Sequence, residues 1–435
     1  MSDTRTTEYI DGLAGFIQAG PSSYHAARET ADRLVAAGAV ELDESAAWPS
    51  SAGSYVVVRD GAAIAWVVPE GAGPLSPFRI LGAHTDSPGF KLKPRPTIEI
   101  NGWLQAGVEV YGGPLLNSWL DRELELAGRI VTTDGAEHLV RTGPFLRIPQ
   151  LAIHLDRGVN NDGLKLDKQR HTQPVWGVGG DPAAQGTQDA LLEHLAGLAG
   201  VAASDIAGYD IMTADTATPA RFGLDDTLFA AGRMDNLTSV FAGLTALLAA
   251  ASSDAPATDH ISVLAAFDHE ELGSESRSGA AGPFLADVLA RIGDGLGASP
   301  SDRLRTLASS WCVSADAGHA VHPNYAERHD PVNRPVPGGG PLLKINANQR
   351  YATDAAGAAL WARLCASAGV PFQEFVSNNA IPCGSTIGPI TATRLGIRVV
   401  DVGAPLLSMH SARELVHVDD AAALAAAVTA FFAGA

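Results

Sequence analysis

Two adjacent glutamates, Glu270 and Glu271, follow an apolar run at 261–267 in the stretch AAFDHEELGSE. A run of that length and character reads as a buried strand. Side chains just beyond the carboxyl ends of strands in an open α/β sheet face the crevice where ligands collect. One carboxylate of such a pair can hold a metal ion, while its unligated neighbour takes a proton from water. A plain acidic loop is the competing reading of this stretch on its own.

Other strand ends carry similar residues. Residues 78–83 run into His84-Thr85-Asp86-Ser87-Pro88. Strand period two puts His84 and Asp86 on one side, where the carboxylate can steady a metal-binding imidazole. A capping aspartate before Ser-Pro explains the same residues. Gly232-Arg233-Met234-Asp235-Asn236 precedes a helical run at 237–251, so Asp235 is either an N-cap or a ligand held at a helix start. The strand expected at 311–315 ends at Asp316, with His319 and His322 close behind, and residues 405–409 lead to His410. The candidate ligands are therefore His84, Asp235, Glu270 with Glu271, Asp316 and His410. Nitrogen and oxygen donors without thiolate suit zinc, manganese or cobalt. One bridging carboxylate with two further ligands on each side would hold two ions roughly 3.5–4 Å apart. Nucleophilic catalysis has less support, since Gly-x-Ser-x-Gly is absent and Cys383-Gly384-Ser385 has no evident base partner. The glycine-rich loop at 331–341 lacks the ending of a phosphate loop and reads as a flexible connection.

The elements that must position these residues fall into two groups. Helices are expected at 6–18 and 22–37, then a hairpin of 54–59 and 62–68 turning at Asp60-Gly61. From residue 91 to about 229 the chain is rich in short β-like runs, at 97–100, 108–111, 124–131 and 137–140. Asn101-Gly102, Gly112-Gly113-Pro114 and Asp134-Gly135 separate them. A polar loop at 157–186 and a helix at 188–198 follow. His154 alternates with apolar neighbours and is by default a packed core histidine. A strand at 398–402 and a helix at 419–432 close the chain. The expected class is α/β: a mixed-sheet catalytic domain formed by 1–90 and 230–435, with a mostly β domain, 91–229, inserted.

Composition narrows the function classes. With 435 residues, 46% hydrophobic and 18% charged, the chain is a globular protein of about two domains. Its formal net charge of −18 disfavours nucleic acid and anionic membrane as partners. Three scattered cysteines fit a reducing compartment. No segment reaches the roughly 18 apolar residues of a membrane span, and the charged amino terminus offers no signal-peptide core, so a cytoplasmic protein is expected.

The segments AHTDSPGFKLKPRP, GRMDN, FDHEELGSES, SADAGHAVHPNY, PLLKINANQRYATDA, PCGSTIGPI and MHSARE, in this order, closely resemble the aspartyl aminopeptidase family, which includes vacuolar aminopeptidase I. The resemblance runs from PSSYHA to HSARE. It implies a co-catalytic metallopeptidase domain with an inserted β domain, assembled as a tetrahedral dodecamer whose active sites face an inner chamber. It implies removal of one amino-terminal residue from peptides, with Asp or Glu preferred there, and two divalent ions, zinc in the usual description. Carried over motif by motif, Asp235 bridges the ions, His84 and Asp316 complete one, and Glu271 and His410 complete the other. Glu270 is then the general base, and Asp86 the partner of His84. Lys344, Tyr351 and His319 are expected beside the scissile residue, with Lys344 meeting an acidic side chain. His154 matches a histidine that reaches into the neighbouring subunit's active site. After it this chain reads Asp156-Arg157, an acid where the family pattern has an amide, which adds negative charge near the expected pocket.

Two other classes share such ligand sets. Carboxypeptidases and amide deacylases would need a cationic clamp for a free carboxylate. A binding or cargo protein could keep the metal as structure, but it would not need the unligated Glu270.

Overall fold

In the computed structural model, which describes residues 4–179 and 190–435, the chain leaves one unit after residue 86 and returns to it after residue 218. The first unit comprises Met1–Asp86, Pro219–Met409 and Glu414–Ala435, and the second Ser87–Thr218 and His410–Arg413.

The first unit opens with helices α1 (Thr4–Ala19) and α2 (Ser23–Ala36). Ser22 caps α2, its hydroxyl accepting from the His25 amide, which satisfies a donor the helix start leaves unpaired. Then come β1 (Val40–Glu41), the antiparallel hairpin β2 (Gly53–Arg59) and β3 (Ala62–Val68), and β4 (Phe78–His84). In the second unit β5 (Gly89–Ile100), β6 (Trp103–Tyr111), β7 (Leu124–Thr132), β8 (Glu137–Arg141), β9 (Val175–Val178) and β10 (Ile206–Asp215) form an antiparallel sheet in the order β8-β7-β10-β5-β6-β9. A single turn, α3 (Val159–Asp162), and α4 (Ala190–Ala199) complete it. Leu191 and Leu195 of α4, one helical turn apart, are buried in that unit's apolar cluster with Phe90, Leu126 and Ile211.

Back in the first unit follow β11 (Ala220–Phe222), β12 (Leu228–Ala231), α5 (Met234–Ala250), β13 (Ile261–Phe267), α6 (Phe284–Gly295), α7 (Pro300–Ser309), β14 (Trp311–Ala315) and β15 (Gly318–His319). The chain ends with β16 (Leu342–Ile345), α8 (Ala355–Ala368), β17 (Gln373–Val376), α9 (Ile387–Leu395), β18 (Arg398–Gly403), β19 (Pro405–Leu407), β20 (Glu414–His417) and α10 (Val418–Phe432). Nine strands make a mixed sheet in the order β1-β2-β3-β13-β4-β14-β18-β16-β17, and five more the order β11-β12-β20-β19-β15. The larger sheet is covered on both faces. Residues of α1, α5, α8 and α10 share one core with Leu81 and Leu264, and residues of α6 and α9 share another with Ile80 and Val263. All seven residues of β13 are buried, as strands covered on both faces must be.

β4, β13, β14 and β18 run mutually parallel. Their carboxyl ends therefore open on one edge of the sheet, and the residues that leave those strands emerge together.

The mixed α/β fold agrees with the sequence expectation, and helices α1, α2, α5 and α10 lie within three residues of their expected bounds. β1, β9 to β12, β15 to β17, β20, α3 and the four helices α6 to α9 were not anticipated. The glycine-rich loop at 331–341 is not a loose connection: the Asp420 carboxylate accepts the Gly338 and Gly340 amides at 2.8 and 2.7 Å, and the Gln373 side chain binds Val336. His154 is exposed in a turn rather than packed in a core. Residues 180–186 of the expected polar loop and 188–189 of the expected helix lie outside the described residues. Among the described residues no helix is long and apolar enough to cross a membrane.

Candidate metal centre

His84 is the last residue of β4, and Asp316 directly follows β14. Glu270 and Glu271 lie three and four residues beyond β13, and Asp235 is the second residue of α5. His84 Nδ1 lies 3.0 Å from the Asp86 carbonyl, which can only accept, so this nitrogen is the donor. Nε2 is then turned toward the acids: 3.3 Å from Asp235 Oδ1, 3.4 Å from Asp316 Oδ1 and 4.0 Å from Glu270 Oε2. One ligand atom each from His84, Asp235 and Asp316 falls within a 4.8 Å span, and so does one each from His84, Glu270 and Glu271.

Asp86 does more than accompany His84. Its Oδ1 lies 3.4 Å from the imidazole Nδ1, but its two oxygens accept the backbone amides of Glu270 at 3.0 Å and Glu271 at 3.1 Å. The carboxylate thus ties the end of β4 to the turn that carries both glutamates. That turn depends on His269, which adopts φ 63 and ψ 25, a left-handed conformation that costs a residue with a Cβ roughly 1–2 kcal/mol. The Asp235–Asn236 peptide is cis. The Asp235 amide donates to Glu414 Oε2 at 2.9 Å, and Asn236 Nδ2 donates to the Ala315 carbonyl at 2.8 Å, binding the start of α5 to β20 and β14.

Burial and mutual repulsion govern the electrostatics. Burial alone would lower the His84 pKa, but the carboxylates of Asp235, Asp316 and Asp86 outweigh it and hold the ring well above its ordinary value. Burial pushes Glu270 up to about 8; His84 opposes the rise, and Asp316, Asp235 and Asp86 add to it. Burial, with the charge of Asp86, raises Asp268 to about 6. A buried cluster of oxygens and one imidazole, short of positive charge and free of thiolate, is the donor set of a divalent cation of the zinc, manganese or cobalt type. The residues present fit such an ion.

Lys344, expected beside the substrate, is only 1% exposed. Its Nζ donates to the Ala317 carbonyl at 2.8 Å and lies 3.9 Å from Asp316 Oδ2 and 5.4 Å from the Tyr351 ring. Tyr351 is buried, its phenol pushed upward by desolvation, and both it and the exposed His319 flank Phe375. His154 and His410 belong to the second unit. His410 is left-handed at φ 64, with Nδ1 3.0 Å from the Gly113 carbonyl. Sequence reasoning missed Glu414 and Phe375, and read Asn236 only as part of a helix cap. Glu414 had a signal, an acid opening the short strand ELVH.

A mixed sheet whose parallel strand ends gather one histidine and several buried carboxylates is the architecture of a metal-dependent hydrolase. The profile of the family described as aminopeptidase I zinc metalloprotease (M18) matches residues 16–432. A probable M18 family aminopeptidase 2 of Streptomyces avermitilis is 56% identical over 427 residues, covering 98% of each chain. Among solved structures, the chain aligned from the Ape4 and Nbr1 complex superposes with a TM-score of 0.94 at 34% identity, over 100% of this chain and 87% of that one. The mApe1 dodecamer of S. cerevisiae gives 0.83 at 28% identity, over 98% and 96%. This chain belongs to the M18 family of zinc metalloaminopeptidases.

Proposed function

We propose that this protein removes single amino-terminal residues from peptides with two divalent ions, prefers Asp or Glu at that position, and works as a homo-oligomer. The observation that carries this reading is the convergence of His84, Asp235 and Asp316 within 4.8 Å, with Glu270 and Glu271 meeting the same imidazole within that span. By the resemblance, Asp235 would be shared by the two ions, His84 and Asp316 would hold one, and Glu271 and His410 would hold the other. Zinc, when bound, supplies Lewis acidity and water of lowered pKa. Glu270 takes the proton of the attacking water and returns it to the leaving amine. Asp86 keeps Glu270 and Glu271 in place through their amides.

Acidic preference is assigned to Lys344. An ammonium has three donors, and Lys344 directs one to Ala317, leaving capacity for a substrate carboxylate beside Tyr351 and His319. By resemblance His154 completes a neighbouring subunit's site, and the dodecameric state of mApe1 supports a closed assembly here. The net charge and the absence of a membrane-crossing helix among the described residues agree with a cytoplasmic protein acting on peptides.

Hydrolysis of aminoacyl reporter amides of Asp, Glu, Leu, Lys and Ala, with zinc-loaded and chelated protein side by side, tests the reading. Zinc-dependent release led by Asp or Glu supports it. Faster release of Leu or Lys overturns the role of Lys344 alone. No release from any of them, with cleavage of amino-blocked substrates instead, moves the chain to the deacylases or carboxypeptidases.

A further inference from the structure

The turn between β2 and β3 reads as an ordinary hairpin connection, yet it touches both loops that carry the metal centre. The Gly61 carbonyl accepts the hydroxyl of Thr85, the residue between His84 and Asp86, at 2.5 Å. Arg59, stacked 4.2 Å from the Phe284 ring and paired with Glu44, donates to the Arg277 carbonyl at 3.2 Å. Asp60 pairs with the Arg277 guanidinium at 2.9 Å. Arg277 lies near the end of the loop that begins at Asp268.

Asp268 is the first residue after β13 and is 1% exposed. Its amide donates to the Ser278 carbonyl at 3.2 Å, which closes that loop on itself. Its Oδ1 accepts the His269 amide at 2.9 Å. Its Oδ2 is buried against Gly61, and the carboxylate takes a hydrogen bond from Ser23. A Cβ on Gly61 would lie 2.2 Å from that oxygen and 2.4 Å from Ser23 Oγ, so Gly61 is required there for space rather than for its backbone angles. A buried carboxylate oxygen kept in such a place calls for a physical reason. Besides Ser23, Asp268 reaches His269, whose amide binds Oδ1 and whose ring Nε2 lies 3.7 Å from Oδ2; this is the left-handed residue on which the direction of Glu270 and Glu271 depends. The His269 ring is held in turn, its Nδ1 2.9 Å from Ser276 Oγ.

We propose that Asp268, seated against Gly61 and Ser23, is a positioning residue for the metal centre, holding His269 left-handed so that Glu270 and Glu271 present their amides to Asp86 and their carboxylates to the site. The proposal rests on the reading of Glu270 as base and Glu271 as ligand. Asp268 itself touches no reacting atom. The hairpin turn is the wall that keeps its carboxylate from swinging away.

The test compares Asp268→Ala, Asp268→Asn and Gly61→Ala with the wild type in the full-length, zinc-loaded protein. For Asp268→Ala we expect kcat to fall at least tenfold with KM within threefold. Asp268→Asn keeps an acceptor for His269 and should recover part of that loss. Hydrogen exchange in the peptide spanning 268–275 should quicken in Asp268→Ala, while peptides of β7 and β10 stay unchanged. Gly61→Ala, acting from the other side, should reproduce this local signature; if it fails to fold, the two Asp268 variants decide. An unchanged kcat with unchanged local exchange overturns the proposal. So does exchange that quickens evenly across the chain with kcat and KM preserved in the folded fraction, because that is plain destabilisation. If the wild type releases no amino acid but Asp268→Ala still loosens 268–275 and weakens zinc binding tenfold, the positioning role stands and the peptidase reading fails.

Discussion

Replacing Asp86 by Asn isolates what its carboxylate does for the two glutamates. The charged group accepts two amides at once, at 3.0 and 3.1 Å. An asparagine of the same shape offers one oxygen, and its NH2 faces the other amide, donor against donor. One charge-assisted hydrogen bond is lost, worth about 1.5–3 kcal/mol. If the population of the competent 270–271 turn sets the rate, that loss lowers kcat about 10- to 150-fold, since each 1.36 kcal/mol is tenfold. KM should stay within threefold, because Lys344, Tyr351 and Phe375 lie on other elements. Initial rates on the best aminoacyl amide at saturating zinc, with metal content measured on the same samples, give both constants. A variant within twofold of the wild type in kcat, at full metal content, would refute the reasoning and leave Asp86 as a partner of His84 only.

Glu270→Gln should keep zinc stoichiometry while kcat drops about 10²- to 10⁴-fold, the range of a lost general base; metal analysis beside kinetics checks both halves. In chelated protein Glu270 keeps its proton up to about pH 8, whereas its ordinary value is 4.5. The folded state therefore binds more protons across that window, and stability falls as pH rises through it. Thermal unfolding between pH 5 and 8.5 should show Tm of the zinc-free protein falling more steeply than that of the zinc-loaded protein, and parallel slopes would contradict this. Gly403→Ala would set a Cβ 1.7 Å from the Asp316 carbonyl, a backbone clash no rotamer relieves. We expect a loss of about 1–3 kcal/mol in chemical denaturation, together with at least tenfold weaker zinc binding in a chelator competition.

The parts of the site that were legible share one physical property. His84 and Asp316 end strands buried on both faces, and such strands are written as continuous apolar runs that any polar residue visibly terminates. Asp235 was ambiguous because a cap and a ligand occupy the same place at a helix start, and only the neighbours Glu414 and Ala315 distinguish them. Lys344 and Asp268 were opaque: a charge is buried or exposed according to groups far away in the chain, Ala317 for one and Gly61 for the other. His154 misled because alternation marks a core strand only where a partner strand exists, and residues 152–155 form a turn, the Leu155 amide donating to the Ala152 carbonyl. The ligand roles themselves came from resemblance rather than from pattern.

The sheet order has a consequence for how the chain is made. β4 has no bonded neighbour among the strands that precede it; its flanks are β13 and β14, and β13 begins only at residue 261. At the ribosomal pace of about 5–20 residues per second, the completed β4 waits roughly 10–35 s for its first partner. Meanwhile the six strands of the second unit, all between residues 89 and 215, emerge and can pair among themselves. An apolar strand ending in His84 is thus the oldest part of the metal centre and among the last to be enclosed. Newly made chains are most exposed to aggregation in that interval, and a chaperone that shields residues 53–84 would act before any of the site's carboxylates beyond Asp86 has been synthesised.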